Sequence, residues 1–219
     1  MHALVALIST FAVAAGGAQC RPASASWAAV AVHPTMVFAA PERKALARFG
    51  LKNVNGARTV FSVLGCRSDW LRVELPMRPN GAVGWVRARD VALARVHARI
   101  VVDLGARRLR LYHDGRLRIT ATVAVGSPST PTPTGRYYVN QELIPSDPTG
   151  PYGPVAVGIS AFSNVLTGWA QGGPIAIHGT NEPWSIGRAA SHGCIRLPNH
   201  LLRRVFAETP VGTPVLIRD

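Results

Sequence analysis

The heptapeptide Ser191-His192-Gly193-Cys194-Ile195-Arg196-Leu197 follows, eleven residues after Thr180 begins, the run Ile175-Ala176-Ile177-His178-Gly179-Thr180. Ile175 to Ile177 read as a short apolar strand that delivers His178 at its end. Cys194 stands between a histidine and an arginine and directly after a glycine. The interior of a helix or strand does not favour Ser-His-Gly-Cys, so this cysteine is poor material for simple core packing. Three roles compete. A buried thiol is the common fate of a lone cysteine. His178, His192 and Cys194 have the ligand types of a catalytic zinc site, but no fourth ligand stands at a familiar interval. The third role is a nucleophile: His178 takes the thiol proton, Gly193 lets backbone N–H groups face a developing oxyanion, and Arg196 stabilises a thiolate or a substrate carboxylate. The acceptor that orients His178 is then either the side chain of Glu182 or the carbonyl of Gly179. Periodicity alone leaves these alternatives open.

Outward from this stretch, residues 98–218 read as strands with one good helix. Residues 107–126 form a hairpin in which Leu109 and Leu111, then Leu117, Ile119, Ala121, Val123 and Val125, alternate about an Asp114-Gly115 turn. A Pro/Thr loop (127–134) leads into a strand, and residues 140–154, with four prolines and no periodicity, read as a lid or substrate-lining loop. Residues 199–210 are helical, with Leu201, Leu202, Val205 and Phe206 on one face and Asn199 as N-cap. Residues 213–218 close with a strand.

Residues 27–94 form another segment, read as about five short strands in a small barrel. Val60, Ser62 and Leu64 alternate with Phe61 and Val63, and Leu71, Val73 and Leu75 with Arg72 and Glu74. Arg78-Pro79-Asn80-Gly81 signals a turn, with Asn-Gly suited to type I′. Trp70 and Trp85 are expected in its core. Residues 1–25 are apolar and uncharged over 3–18 and end in Ala23-Ser24-Ala25, the pattern of a secretory signal peptide. The mature chain is therefore expected outside the cytoplasm. Cys20 would leave with the leader, and Cys66 and Cys194 are expected as two unrelated thiols, Cys66 inert.

The chain has 219 residues, 47% of them hydrophobic and 16% charged, enough to bury a core. Its net charge of +13 rests on 24 basic residues, of which only Lys44 and Lys52 are lysines. The scattered arginines fit codon bias as well as they fit an anionic partner such as a cell-wall polymer. With a leader and no nucleic-acid motif, a nucleic-acid partner is excluded.

The spacing of His178-Gly179, the insert 180–190 and Ser191-His192-Gly193-Cys194-Ile195-Arg196 resembles the signature of the L,D-transpeptidase catalytic domain, also called the YkuD domain. Pro131-Thr132-Pro133-Thr134-Gly135 and the strand at 99–112 also fit that family. The segment 27–94, through Asp69-Trp70-Leu71-Arg72-Val73-Glu74-Leu75 and Gly84-Trp85-Val86, resembles bacterial SH3-like domains. These resemblances imply a mainly β protein: a small SH3-like barrel, then a β-sandwich with one or two short helices. They imply a peptidoglycan L,D-transpeptidase that forms 3→3 cross-links between stem peptides through a thioester on Cys194. His178 would be the general base, Gly179 its carbonyl orienter, and His192 and Gly193 the lining of the oxyanion site. Arg196, Ser191, Thr180 and Tyr152 would meet the substrate. No metal or organic cofactor is implied, and carbapenem β-lactams would be inhibitors. The alternatives are an L,D-carboxypeptidase that hydrolyses the same acyl-enzyme and a non-catalytic wall-binding protein.

Overall fold

The computed structural model describes residues 26–219; the leader reading lies outside the described residues. The first seven strands are β1 (Ser26–Ala31), β2 (Thr35–Phe38), β3 (Ala45–Phe49), β4 (Val60–Arg67), β5 (Trp70–Glu74), β6 (Val83–Arg87) and β7 (Val91–Val96). They form one antiparallel sheet in the order β3-β2-β6-β5-β4-β1-β7. Seven strands stand where about five were expected, because β1 and β3, poor in alternation, are recruited by pairing with their neighbours. Phe61, Leu71, Val73 and Val86 form the core of this sheet. Trp70 is buried against it, edge-on to Phe38 at 5.2 Å, whereas Trp85 is only half-buried.

The remainder contains β8 (Ala98–Asp103), β9 (Arg108–His113), β10 (Arg116–Thr122), β11 (Val125–Gly126), β12 (Gly135–Leu143), β13 (Ala156–Phe162), β14 (Pro174–His178), β15 (Ala189–Ser191), β16 (Ile195–Arg196), α1 (Asn199–Glu208) and β17 (Pro214–Arg218). Eight of these strands form a mixed sheet, β10-β9-β8-β17-β12-β13-β14-β16, and β11 pairs with β15. The sheet curls around a core that includes Ile100, Leu109, Val157, Ile177, Ile195 and the helix residues Leu202 and Val205. The architecture is thus mainly β with a single α-helix among the described residues. No helix among them is long and apolar enough to cross a membrane.

Several local expectations need revision. The Asp114-Gly115 turn has both residues at positive φ (47° and 77°), as a two-residue hairpin requires. Leu117 is nevertheless exposed, since a bulge between Leu117 and Ile119 breaks the alternation at the hairpin tip. In the other turn only Gly81 has positive φ, and Ala82 N–H donates to Pro79 O at 3.1 Å, a type II pattern rather than type I′. β12 runs through Leu143, so the irregular loop begins after the strand and not at residue 140. Asn199 is the first helical residue and makes no capping bond; Pro198 occupies the cap. Cys194 is the free cysteine among the described residues, so Cys66 and Cys194 are not bridged to each other, as expected; Cys66 itself is disulfide-bonded, which corrects only its reading as a thiol. Spacing along the chain does not reveal which sulfurs meet in space.

The two sheets share buried surface. Ala28, Val30, Val60 and Val96 of the first pack with Tyr138 of the second, whose hydroxyl donates to Val60 O at 2.9 Å. Glu74, outward-facing by alternation, is buried here. It accepts from Ser160 Oγ at 2.7 Å, and that hydroxyl accepts from Tyr138 N–H at 3.1 Å. Burial pushes the Glu74 carboxyl up to about 7, with the Ser160 bond opposing. In the unfolded chain the group ionises near the ordinary glutamate value of 4.5, so between about 4.5 and about 7 the folded state holds the extra proton. Stability therefore falls as pH rises through that window, by on the order of 3 kcal/mol. Glu74→Gln is expected to melt at a higher temperature than wild type at pH 8 and at a similar one at pH 4, read by thermal denaturation.

Candidate active site

The site is assembled by strand register. β14 and β16 pair in parallel, Ile177 opposite Ile195 and His178 opposite Arg196. Ile177 and Ile195 are fully buried in the core. Because side chains alternate along a strand, His178 and Arg196 face the other way, together with Ala176 and Cys194 one step earlier. Cys194 and His178 are thus diagonal neighbours on one face, and Arg196 stands beside both.

His178 is buried, and its Nδ1 lies 2.6 Å from Gly179 O. With Nδ1–H donated to that carbonyl, Nε2 carries the free lone pair. Burial lowers the imidazole to about 4; the Gly179 carbonyl opposes this and the Arg196 charge adds to it. Burial raises the Cys194 thiol, while the Ala176 backbone and Arg196 pull it back. The resting pair near neutral pH is therefore neutral imidazole and thiol, an arrangement in which proton transfer accompanies attack rather than preceding it. The Tyr152 ring meets the His178 ring edge-on at 5.0 Å, and Tyr152 O accepts from Gly179 N–H at 2.9 Å.

Glu182 does not orient His178. Its Oε2 pairs with Arg196 Nη1 at 2.5 Å, while Ser185 Oγ lies 3.4 Å from the same nitrogen. Arg196 Nε is buried with no hydrogen-bond partner among the described residues. The arginine is thus held side-on between an acid and the two reactive groups.

Two residues read as substrate contacts are spent on the scaffold. Ser191 is buried; its hydroxyl donates to Cys194 O at 2.5 Å and accepts from Gly193 N–H at 3.1 Å. This consumes the Gly193 N–H that an oxyanion hole would use. Thr180 is buried as well, its N–H bonded to Asn199 Oδ1 (2.8 Å) and its carbonyl to Asn199 Nδ2 (3.2 Å). A hydroxyl in this position serves the turn: Thr180 Oγ1 accepts from Glu182 N–H at 2.9 Å. His192 is exposed and lies against Trp169, ring centroids 5.4 Å apart. Gly193 adopts φ 111°, a conformation that only glycine takes readily.

Sequence reasoning missed two braces. Asn199 reaches back from α1 to clamp Thr180, and its Oδ1 lies where a Cβ on Gly179 would stand, at 2.2 Å. Gly179 is therefore required by close approach, which the pattern His-Gly alone signalled without explaining. Thr132, in the Pro131–Gly135 run, donates from Oγ1 to Gly193 O and accepts from Gly126 N–H, both at 2.8 Å. That loop is bonded to the cysteine turn again through Ser127 N–H to Ser191 O (2.9 Å) and Thr130 Oγ1 to Ser191 O (3.0 Å).

His178, His192 and Cys194 do not converge as a metal-binding trio. Among the described residues the group that does is His97, which precedes β8, with His113 and Asp114 of the β9–β10 turn, all exposed. There His97 Nδ1 lies 2.6 Å from Asp114 Oδ1, and that bond foremost lowers the Asp114 carboxyl. The corner is an exposed histidine–carboxylate hydrogen bond with Arg95 nearby.

Thr132→Val would leave a buried N–H and a buried carbonyl without their partner, each costing about 1–3 kcal/mol. The variant is expected to lose stability by that order in urea denaturation and to slow acylation of Cys194 by a carbapenem.

Comparison with known proteins places this geometry. The family model described as the L,D-transpeptidase catalytic domain, YkuD, matches residues 97–217. The YkuD protein of Bacillus licheniformis is 39% identical over 120 residues, 54% of this chain and 64% of that protein. The YkuD protein of Bacillus subtilis is 37% identical over 119 residues, again 54% and 64%. The chain thus spans under two thirds of the length of these two relatives. The YqjB protein of Bacillus subtilis is 30% identical over 130 residues, 55% of this chain and 70% of that protein. Among solved structures, an L,D-transpeptidase from Mycobacterium smegmatis aligns with TM-score 0.47 and 18% identity, covering 74% of this chain and 92% of that one. L,D-transpeptidase 3 from Mycobacterium tuberculosis, in complex with a faropenem-derived adduct, aligns with TM-score 0.47 and 16% identity over the same shares. With its family match covering more than half its length, and the paired histidine and cysteine strands lying inside the matched region, this chain belongs to the YkuD family of L,D-transpeptidase catalytic domains.

Proposed function

We propose that this protein is a peptidoglycan L,D-transpeptidase that forms 3→3 cross-links through a thioester on Cys194. The observation that carries this reading is the common face shared by Cys194, His178 and Arg196, with His178 Nδ1 held by Gly179 O and Nε2 left as a base. In the first half-reaction Cys194 Sγ attacks the carbonyl carbon after the third stem residue while His178 Nε2 takes the thiol proton. The tetrahedral intermediate collapses, the C–N bond breaks, and His178 returns the proton to the departing D-alanine amine. In the second, an amine of a neighbouring stem attacks the thioester, gives its proton to His178, and the C–S bond breaks to restore the thiol. Since Gly193 N–H is bonded to Ser191, the oxyanion is assigned to the backbone N–H of Cys194 rather than to Gly193. Tyr152, half exposed on the His178 ring, and Arg196, whose Nε has no hydrogen-bond partner among the described residues, are the remaining substrate contacts.

In this reading the chain works outside the cytoplasm, with 1–25 as export signal. The segment 27–94 is taken as an SH3-like module that contacts wall polymer, and the basic surface suits an anionic wall.

Mixing the protein with a carbapenem is expected to add one adduct mass to wild type and none to Cys194→Ala; His178→Ala is expected to slow adduct formation at least about 100-fold while keeping its circular dichroism. With a disaccharide-tetrapeptide, a cross-linked dimer is the expected product; only a bare tripeptide would make the enzyme a carboxypeptidase. A second expectation concerns pH. With the imidazole lowered to about 4 and the thiol raised, the neutral pair persists across the range between them. The acylation rate should stay level from pH 8 to about 5 and fall as pH approaches 4, whereas an unperturbed histidine would lose half its base near 6.5.

A further inference from the structure

We propose that the turn carrying Arg78 and Asn80 in the first sheet holds segment 163–173 of the second, and so sets Trp169 as a substrate-facing wall beside the Cys194 turn. Arg78 is then a positioning residue for substrate. The proposal rests on Cys194 being the acyl-transfer centre.

Segment 163–173 leaves β13 and returns to β14, closed at its base by Ser163 N–H to Gly173 O at 2.8 Å. Little within it is packed. Val165 and Trp169 are half exposed, and Gln171, Gly172 and Gly173 run consecutively at positive φ (58°, 80° and 68°). An excursion with so few buried apolar contacts has low local stability on its own. Within it Ser163 Oγ accepts from Val165 and Leu166 N–H at 3.3 and 3.1 Å, and Gly172 N–H donates to Trp169 O at 2.8 Å; the side chains that tie both stems come from the first sheet. Arg78 Nη2 donates to Ser163 O at 2.5 Å and to Gly172 O at 2.6 Å, Nε adds Gly172 O at 3.2 Å, and the guanidinium lies over the Phe162 ring at 5.5 Å. One arginine thereby ties both stems of the excursion. Asn80 imitates a strand partner: its Nδ2 donates to Phe162 O and its Oδ1 accepts from Phe162 N–H, both at 2.8 Å. On the far stem Asn55 exchanges side-chain bonds with Gln171 at 3.1 and 3.4 Å.

The held segment ends at the site. Trp169 lies against His192, two residues before the nucleophile, with a ring angle of 42°. Its indole offers a flat apolar face at the mouth of a site otherwise walled by Tyr152 and Arg196. Charged and amide donors fixed on a separate sheet preorganise that face before substrate arrives.

The test uses the full chain with Arg78→Ala, Asn80→Ala, Arg78→Lys and Trp169→Ala. The His192 Hε1 signal in a 1H–13C NMR spectrum reports the Trp169 ring current and needs no turnover. Trp169→Ala is expected to move it to the value of an unstacked histidine, and Arg78→Ala to move it in the same direction. Arg78→Lys should restore it only in part, because an ammonium lacks the fork that spans two carbonyls. With disaccharide-tetrapeptide as substrate, Arg78→Ala and Trp169→Ala are expected to raise KM about fivefold with kcat within about twofold. An unmoved His192 signal in both Arg78→Ala and Asn80→Ala overturns the positioning claim. A moved signal with wild-type KM overturns the substrate wall, as does a wild-type KM in Trp169→Ala. Should Arg78→Ala fail to fold, Asn80→Ala, which removes the Phe162 pairing and a 3.3 Å bond to Asn164 Oδ1, decides the matter by the same signal. A wild-type protein inert toward the tetrapeptide while the His192 signal still shifts in the variants would sink the acyl-transfer reading and leave the positioning intact.

Discussion

The parallel register between β14 and β16 is the constraint from which the rest of the site follows. With Ile177 opposite Ile195 and both in the core, strand alternation obliges His178, Cys194 and Arg196 to share the opposite face. A slip of one residue would turn the base into the apolar core and the isoleucines out of it. β16 is only two residues long, so it cannot hold this register alone. Its other edge is bonded to Ala124, which exchanges N–H and carbonyl bonds with Arg196 at 2.9 Å. The reactive strand is thereby fixed from both sides.

Polar side chains complete what the register begins. Thr132, Ser191 and Asn199 are not reagents; each satisfies backbone groups of a turn that carries one. Buried turns leave N–H and carbonyl groups without strand partners, and unpaired groups of this kind are costly. Hydroxyl and amide side chains are the small groups able to supply both donor and acceptor there. The same logic explains Glu182: an acid beside the site is drawn to the guanidinium of Arg196, and a carbonyl is left to orient the histidine.

The first sheet is joined to the second by a seam that mixes apolar packing with buried polar groups. Tyr138 fills the apolar part, and the Glu74–Ser160 pair the polar part. Close contact is possible because Gly212 lies against Ala28, where a Cβ would come within 2.3 Å. The arginine and asparagine side chains of the Arg78–Gly81 turn extend that seam toward the cysteine.

Much was legible from local pattern. The hairpin at Asp114-Gly115, the amphipathic helix over 199–208, and the delivery of His178 by an apolar strand all depend on neighbours within a few residues, and period and turn chemistry encode such neighbours directly. Gly179 as the carbonyl beside His178 was also readable, because it is adjacent in sequence. What local pattern misread depended on partners far along the chain. Glu74 reads as solvent-facing by alternation until Ser160 and Tyr138 cover it. Ser191 and Thr180 read as substrate contacts until Gly193, Cys194 and Asn199 consume their hydrogen bonds. Sequence by itself determined which residues could react and which strand faces were apolar, since both are properties of side chains and their period. Tertiary structure alone decided which polar groups remained free to act, because a hydrogen bond is settled by whatever partner packing brings within about 3 Å.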